Sequence, residues 1–278
     1  MLLFAVFMLY PLERSLTLSL QQTVGPRTTR FVGLRNYSFF LHDLLFWVAV
    51  GNTIAFTLAF LILQIPLSLG LALLLNNPRL RGRNFFRFAF FSTHLVGNVF
   101  VAIIFMILLQ QRQGLLPHAL GAIKTSWAEI DFLQNPVLAR LSVVLASLWL
   151  SVGWGMIFFL AALQSVSHEL YDAAQVDGAG RWARFWHITL PGIRPVLVFL
   201  ILVGTIGGFQ LFELPFVLFG GPGPGWAGLT IVMYLYQNGF EMGDLGGASA
   251  IGWLLVCFIL VVSLLQIKFS GAAREEPA

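Results

Sequence analysis

Residues 44–75 read LLFWVAVGNTIAFTLAFLILQIPLSLGLALLL, an apolar run without a charged side chain. An α-helix rises about 1.5 Å per residue, and a hydrocarbon layer about 30 Å thick needs roughly 20 apolar residues of helix. The run therefore crosses a bilayer with residues to spare. Pro66, two residues after Gln64, lacks the amide donor a helix interior requires and is expected to kink it. Asn52, Thr53 and Thr57 are polar groups at membrane depth, expected to hydrogen-bond neighbouring helices.

The rest of the chain has the same texture. Of its 278 residues, 16 are Lys or Arg and 12 are Asp or Glu, so 10% are charged, where soluble proteins use about 25%. Hydrophobic residues make up 58%, with 27 Phe and 8 Trp, at a mean hydropathy of +0.84. No soluble core of this size hides that much apolar surface. Disorder is excluded by the same figures, and a disulfide scaffold by a single cysteine, Cys257. The net charge of +4 comes from basic residues scattered between apolar runs, which argues against nucleic acid as a partner.

Further spans are expected over residues 88–109, 137–163, 196–219 and 248–269, making one all-α polytopic membrane domain over residues 1–278. A sixth stretch, residues 1–20, is short, because Glu13 and Arg14 interrupt it. It lacks the basic start of a signal peptide, so it is expected to belong to a longer first helix in which Met1 is internal. Sidedness follows from Lys and Arg placement. Arg79, Arg81, Arg83 and Arg87 crowd one loop, Arg181, Arg184 and Arg194 another, and Lys268 and Arg274 the tail. The opposite side carries Arg14, Arg27, Arg30, Arg35, Arg112, Lys124 and Arg140 more thinly, and residues 220–247 carry none. Both chain ends are therefore expected in the cytoplasm.

Several chemistries are absent from the sequence. ATP hydrolysis through a phosphate loop needs GxxxxGK[ST], but Lys124 and Lys268 each follow an isoleucine. His168-Glu169-Leu170-Tyr171 begins like a zinc-protease HExxH, yet residue 172 is Asp. His42, His94, His118, His168 and His187 form no ligand spacing, so no metal is expected. His94, alone within a span, reads as a helix–helix hydrogen-bond donor more readily than as a proton relay. No set of nucleophile, base and orienting group can be assembled, and the chain is not expected to be an enzyme.

Residues 167–195, SHELYDAAQVDGAGRWARFWHITLPGIRP, lie between two spans on the cytoplasmic side. Ser167 suits an N-cap, and Glu169 the first turn of a helix. Leu170, Ala173, Ala174 and Asp177 share one face, and the small alanines make it closely approachable. Gly178 and Gly180 are expected to end this helix in left-handed geometry. Trp182, Phe185, Trp186 and Thr189 then share a face of a second helix lying in the membrane interface.

Within this stretch Asp172-Ala173-Ala174, three residues, Gly178, nine residues, Ile188, one residue and Leu190-Pro191 resemble the EAA loop of binding-protein-dependent ABC importer permeases, EAAxxxGx9IxLP. The one departure is Asp172, where the family usually has Glu. Residues 32–37 (VGLRNY), Arg81-Gly82-Arg83 before Phe85-Phe86-Arg87, and Gly220-Gly221-Pro222-Gly223 followed by Tyr234, Tyr236 and Phe240 resemble further segments of the carbohydrate, MalF-like branch of this MetI-like superfamily. The resemblance implies a type I importer core of six helices. It also implies a second, MalG-like permease, an ABC ATPase dimer carrying the ATP and Mg, and a periplasmic or lipid-anchored solute-binding protein. The chain itself then binds no cofactor, and its membrane is the cytoplasmic (inner) membrane of a bacterium or archaeon. Residues 165–191 are the coupling loop under this resemblance, with Glu169, Asp172, Ala173, Ala174, Asp177, Gly178, Ile188, Leu190 and Pro191 as its contact and framing residues.

Candidate solute contacts lie in two spans. Gly207, Gln210 and Leu214 share a face of the fifth, flanked by Glu213, and in resembling carbohydrate permeases the stretch before the Gly-Gly-Pro carries sugar-facing positions. Leu150, Ser151 and Trp154 occupy the matching stretch of the fourth, where indole can stack on a sugar ring and a hydroxyl can bond another. Each has a structural alternative: Trp154 can pack on lipid or a partner, Gln210 can bridge helices, and Glu213, which follows Phe-x-x-Phe, reads more readily as structural. The solute implied is a sugar, polyol or oligosaccharide. The competing reading is an ion-coupled secondary transporter with Glu213 and His94 as its coupling pair.

Overall fold

The computed structural model describes residues 2–24, 28–111, 113–125 and 129–270. Met1 and the sidedness residues Arg27, Arg112 and Arg274 lie outside them. The N-terminal helix α1 spans residues 2–19, with a π segment at Ala5–Leu9, and packs against the last helix of the chain. A hairpin follows, β1 Gln21–Val24 and β2 Thr28–Phe31, antiparallel with Gln21 opposite Phe31. It is the one exception to the all-α expectation among the described residues. After α2 (Arg35–His42) comes α3, Leu44–Asn76, unbroken over 33 residues with Pro66 inside it. The Asp43 carboxylate caps α3 by accepting from the Leu45 amide.

Among the described residues three helices are long and apolar enough to cross a membrane: α3, α7 (Pro136–Ser165) and α13 (Leu245–Ser270), which follows the short α12 (Ile231–Tyr236). The spans expected over residues 88–109 and 196–219 are not continuous. The first is α4 (Arg83–Ser92), a 3-10 turn Thr93–Leu95 and α5 (Asn98–Leu109), with the two arms bent by 99°. Val96 and Gly97 are extended there, and the Thr93 hydroxyl donates to the Phe90 carbonyl at 2.8 Å, turning the backbone off the helical path. Leu115–Ile123 forms α6. After α8 (His168–Val176) and α9 (Arg181–Gly192), the second broken span is α10 (Arg194–Phe209), bent 65° from α9, then three non-helical residues and α11 (Glu213–Phe219). Counting each bent pair as one span gives up to five. Residues 2–19 do not reach the length of a span, so the sixth is not complete among the described residues.

Glycines set how closely these helices approach. A Cβ on Gly153 would stand 1.8 Å from the Phe90 carbonyl oxygen, and one on Gly155 would stand 2.5 Å from Gln64 Nε2, so α7 presses on both α4 and α3. The Gly204–Gly208 pair seats α10 against Leu61 and Thr57 of α3. Three apolar clusters stack along the bundle. One surrounds Phe46, Met233 and Ile251; a middle one surrounds Phe56, Val143 and Leu214; the third surrounds Met156, Phe159 and Ile193 near α8. Asn52 and Thr53 do bond outside their helix: the Asn52 amide donates to the carbonyls of Trp226 and Leu229, and the Ile231 amide donates to Thr53 Oγ1. Thr57 instead donates to the Thr53 carbonyl of its own helix.

Candidate functional site

The stretch carrying the EAA pattern folds as a protruding helix. Ser167 Oγ accepts from the Glu169 amide and starts α8. At its other end Ala179 N–H reaches the Ala174 carbonyl at 2.8 Å, and Gly178 N–H the Gln175 carbonyl at 3.1 Å, a Schellman closure that demands a left-handed residue. Gly178 supplies it with φ +76. Gly180 does not: it is extended, at φ −67 and ψ 169, and precedes α9, because one left-handed residue already completes the closure.

Glu169, Leu170, Asp172, Ala173, Asp177 and Gly178 are exposed and Ala174 is half-buried, so the face carrying the motif is open. Tyr171 turns the other way. Its hydroxyl meets Thr189 Oγ1 at 2.9 Å, and its ring joins Ile188 and Leu190 against the cluster around Ile193. Pro191 is exposed. The face expected for Trp182, Phe185, Trp186 and Thr189 splits, with Trp182 76% and Trp186 57% exposed while Thr189 is 5% exposed. The cause is a π segment over Phe185–Thr189, which shifts the register that an ideal α-helix would keep.

Basic groups gather at this end of the bundle. Arg87 Nη2 donates to the Leu75 carbonyl at 2.7 Å, and Arg194 donates to the Ser270 carbonyl. Each guanidinium thereby meets carbonyls that the C-terminal turn of a helix leaves free.

The second feature is a cavity of about 370 Å³ inside the bundle. Gln210, Trp154, Ser151, Leu150, Gly207 and Glu213 all line it, with His94, Asn98 and Gln64 added. They do not meet by helical periodicity. Gln210 ends α10, Phe212 is non-helical at φ −142 and ψ −61, and Glu213 begins α11, so the single face expected for Gly207, Gln210 and Leu214 is cut in two. Leu214 is 2% exposed, while Gln210 and Glu213 are open. Thr230 Oγ1 holds the break by donating to the Leu211 carbonyl at 2.7 Å, and Phe212 stacks on Phe216 with centroids 5.1 Å apart.

Both broken spans open onto this cavity, and one hydrogen bond joins them: Asn98 Nδ2 donates to Glu213 Oε2 at 2.6 Å. Irregular backbone at membrane depth survives where it is buried in protein or lines a cavity. His94, in the turn of the first break, lies on Trp154 with centroids 5.8 Å apart, and Trp154 lies 4.5 Å from Phe158. A Cβ on Gly207 would meet nothing within 4 Å, whereas one on Gly208 would stand 2.5 Å from Thr57 Oγ1. Adjacent glycines thus divide the tasks of open space and helix contact. Sequence reasoning missed Asn98 and Gln64 as cavity residues. Asn98 follows a glycine at a helix start, which is a signal of a break; Gln64 carried no signal beyond its polarity.

A bundle of apolar and broken helices around an internal, mostly apolar cavity that carries a few polar side chains, with a capped helix projecting from one end, is the architecture of a membrane permease. The chain belongs to the family described as binding-protein-dependent transport system inner membrane component, whose model matches residues 64–270, and is thus a permease subunit of an ABC importer. It is 38% identical over 273 residues to the arabinooligosaccharides transport system permease protein AraP of Bacillus subtilis, covering 98% of this chain and 86% of that one. Its identity to the lactose transport system permease protein LacF of Rhizobium radiobacter is 35% over 275 residues, covering 98% and 91%. The fold matches a crystal structure of a bacterial ABC transporter involved in the import of the acidic polysaccharide alginate, with a TM-score of 0.86 at 24% identity, over 99% of this chain and 93% of that one.

Proposed function

We propose that this permease admits a sugar or a related polyol or oligosaccharide and moves it by alternating access. The cavity is the solute's path, and α8 is the coupling helix seated in a separate ATPase. The observation that carries the reading is the convergence of Gln210, Trp154, Ser151, Leu150, Gly207 and Glu213 on one cavity at the meeting of two broken helices. Its lining suits a polyhydroxylated solute: an indole face for a ring, and amides, hydroxyls and one carboxylate for hydroxyl groups. The relatives named for arabinooligosaccharides and lactose support the same class.

A second MalG-like permease completes the path, an ABC ATPase dimer binds ATP and Mg, and a periplasmic or lipid-anchored solute-binding protein delivers the solute. This chain binds no cofactor and hydrolyses no ATP. Its α8 end faces the cytoplasm, together with both chain ends, in a bacterial or archaeal inner membrane; the arginines that cap helix ends there support this orientation. The ion-coupled alternative is not favoured. Membership of a binding-protein-dependent family argues against it, and the intended coupling pair is otherwise engaged, Glu213 by Asn98 and His94 by Trp154.

Proteoliposomes holding the whole complex, binding protein inside the assay, test the reading with labelled lactose, trehalose and arabinobiose. ATP-dependent accumulation of at least one is expected, insensitive to ionophores. Accumulation that needs an ion gradient and no ATP overturns the reading.

A further inference from the structure

Gln64 is buried in α3 with 3% exposure, and its carbonyl oxygen has no hydrogen-bond partner among the described residues. A buried acceptor without a partner is a standing cost to the fold, and in native structures it calls for an explanation. Here the surroundings supply one. Phe56, Phe60 and Gln64 recur every four residues on the face of α3 that lines the cavity. Two turns of α3 separate Gln64 from Phe56, and Gln64 is the last residue of this row on the wall. One turn further, Ser68 Oγ donates to the Val152 carbonyl at 2.9 Å and ties α3 to α7. The missing side chain of Gly155 makes the space in which the Gln64 amide rests.

We propose that Gln64 is a further solute-contacting and specificity-determining residue, at the inner end of the cavity, toward α8. A sugar hydroxyl both donates and accepts. A primary amide offers one of each and can exchange its two ends by turning about its last side-chain bond. The Gln64 oxygen is itself closed off in this structure, so on solute entry the amide turns to present it to the cavity, where a sugar hydroxyl donates to it. The solute is then held between two polar ends: the Asn98–Glu213 pair where the broken helices meet, and Gln64 on α3. Trp154 lines the wall between. The charged residue among these is a carboxylate, so the site favours uncharged saccharides over uronates and phosphorylated sugars. This inference rests on the transport reading given above and assigns it a residue and a solute class.

The test uses the whole complex in proteoliposomes with its binding protein, comparing wild type with Gln64→Met, which keeps length and volume and removes both polar ends. Two quantities are read: sugar accumulated per ATP hydrolysed and the Tm of the complex. The inference predicts at least a tenfold fall in sugar moved per ATP with Tm unchanged or raised, because an unsatisfied acceptor has been removed. An unchanged ratio overturns it, as does a fall that tracks a lowered Tm, which marks a structural amide. If the wild type accumulates none of the three neutral sugars, the transport reading itself fails, and the two failures are told apart.

Discussion

The protruding helix α8 and the internal cavity are built in opposite ways. Every bond that starts or stops α8 is local: Ser167 to Glu169, Ala179 to Ala174, Gly178 to Gln175. The cavity is held by contacts between distant parts of the chain, such as Thr230 to Leu211 across 19 residues and Asn98 to Glu213 across 115. A lever that docks on another protein works if its own short sequence fixes its shape. The cavity depends on helices broken in two places and joined by contacts distant in sequence, and no short stretch specifies it. Substitutions are therefore expected to act locally and functionally in α8, and on assembly or solute passage around the cavity.

The largest effects are expected at helix contacts. Gly153→Val forces side-chain atoms into the Phe90 carbonyl, and since overpacking costs about 1–3 kcal/mol or more, the protein is expected not to accumulate in the membrane; normal levels by immunoblot would contradict this. Next comes Asn52→Ala, which strips partners from the Trp226 and Leu229 carbonyls and from Arg140, whose Nη2 donates to Asn52 Oδ1 at 3.2 Å. A loss of about 1–3 kcal/mol is expected, seen as a lowered Tm of the purified complex. Trp154→Ala is expected to reduce uptake several-fold through loss of the indole face, with binding-protein-stimulated ATPase retained. The smallest effect belongs to the adjacent glycines: Gly207→Ala is expected to change stability by no more than about 0.5 kcal/mol, leaving Tm close to wild type, whereas Gly208→Ala, set against Thr57, lowers Tm.

The same contrast decides what the sequence made legible. The uninterrupted spans α3, α7 and α13 follow from unbroken apolar runs, and α8 from its cap, its alanines and Gly178. The breaks at residues 93–97 and 210–212 are weakly marked in the sequence: apolar residues such as Val96, Leu211 and Phe212 run through them, and Gly97 before Asn98 is the one local sign of a new helix start. In the packed structure the first break carries the Thr93–Phe90 hydrogen bond, and at the second Thr230 takes the Leu211 carbonyl. The candidate residues Gln210, Ser151 and Trp154 were named from polarity and register, yet the cavity that unites them forms only because one expected helix stops at Phe209. Gln64 escaped notice because an isolated glutamine in a span has no local signature, and its orphaned oxygen exists only in the packed structure.

In the proposed function α8 transmits force between ATPase and cavity. The direct measurement is ATPase activity of the reconstituted complex with and without the binding protein, in wild type and in Gly178→Pro. Proline fixes φ near −65°, whereas Gly178 sits at φ +76, so the variant cannot close α8. The binding protein is expected to stimulate the wild type and to leave the variant unstimulated, with permeases and ATPase still co-purifying. Full stimulation in the variant would contradict it.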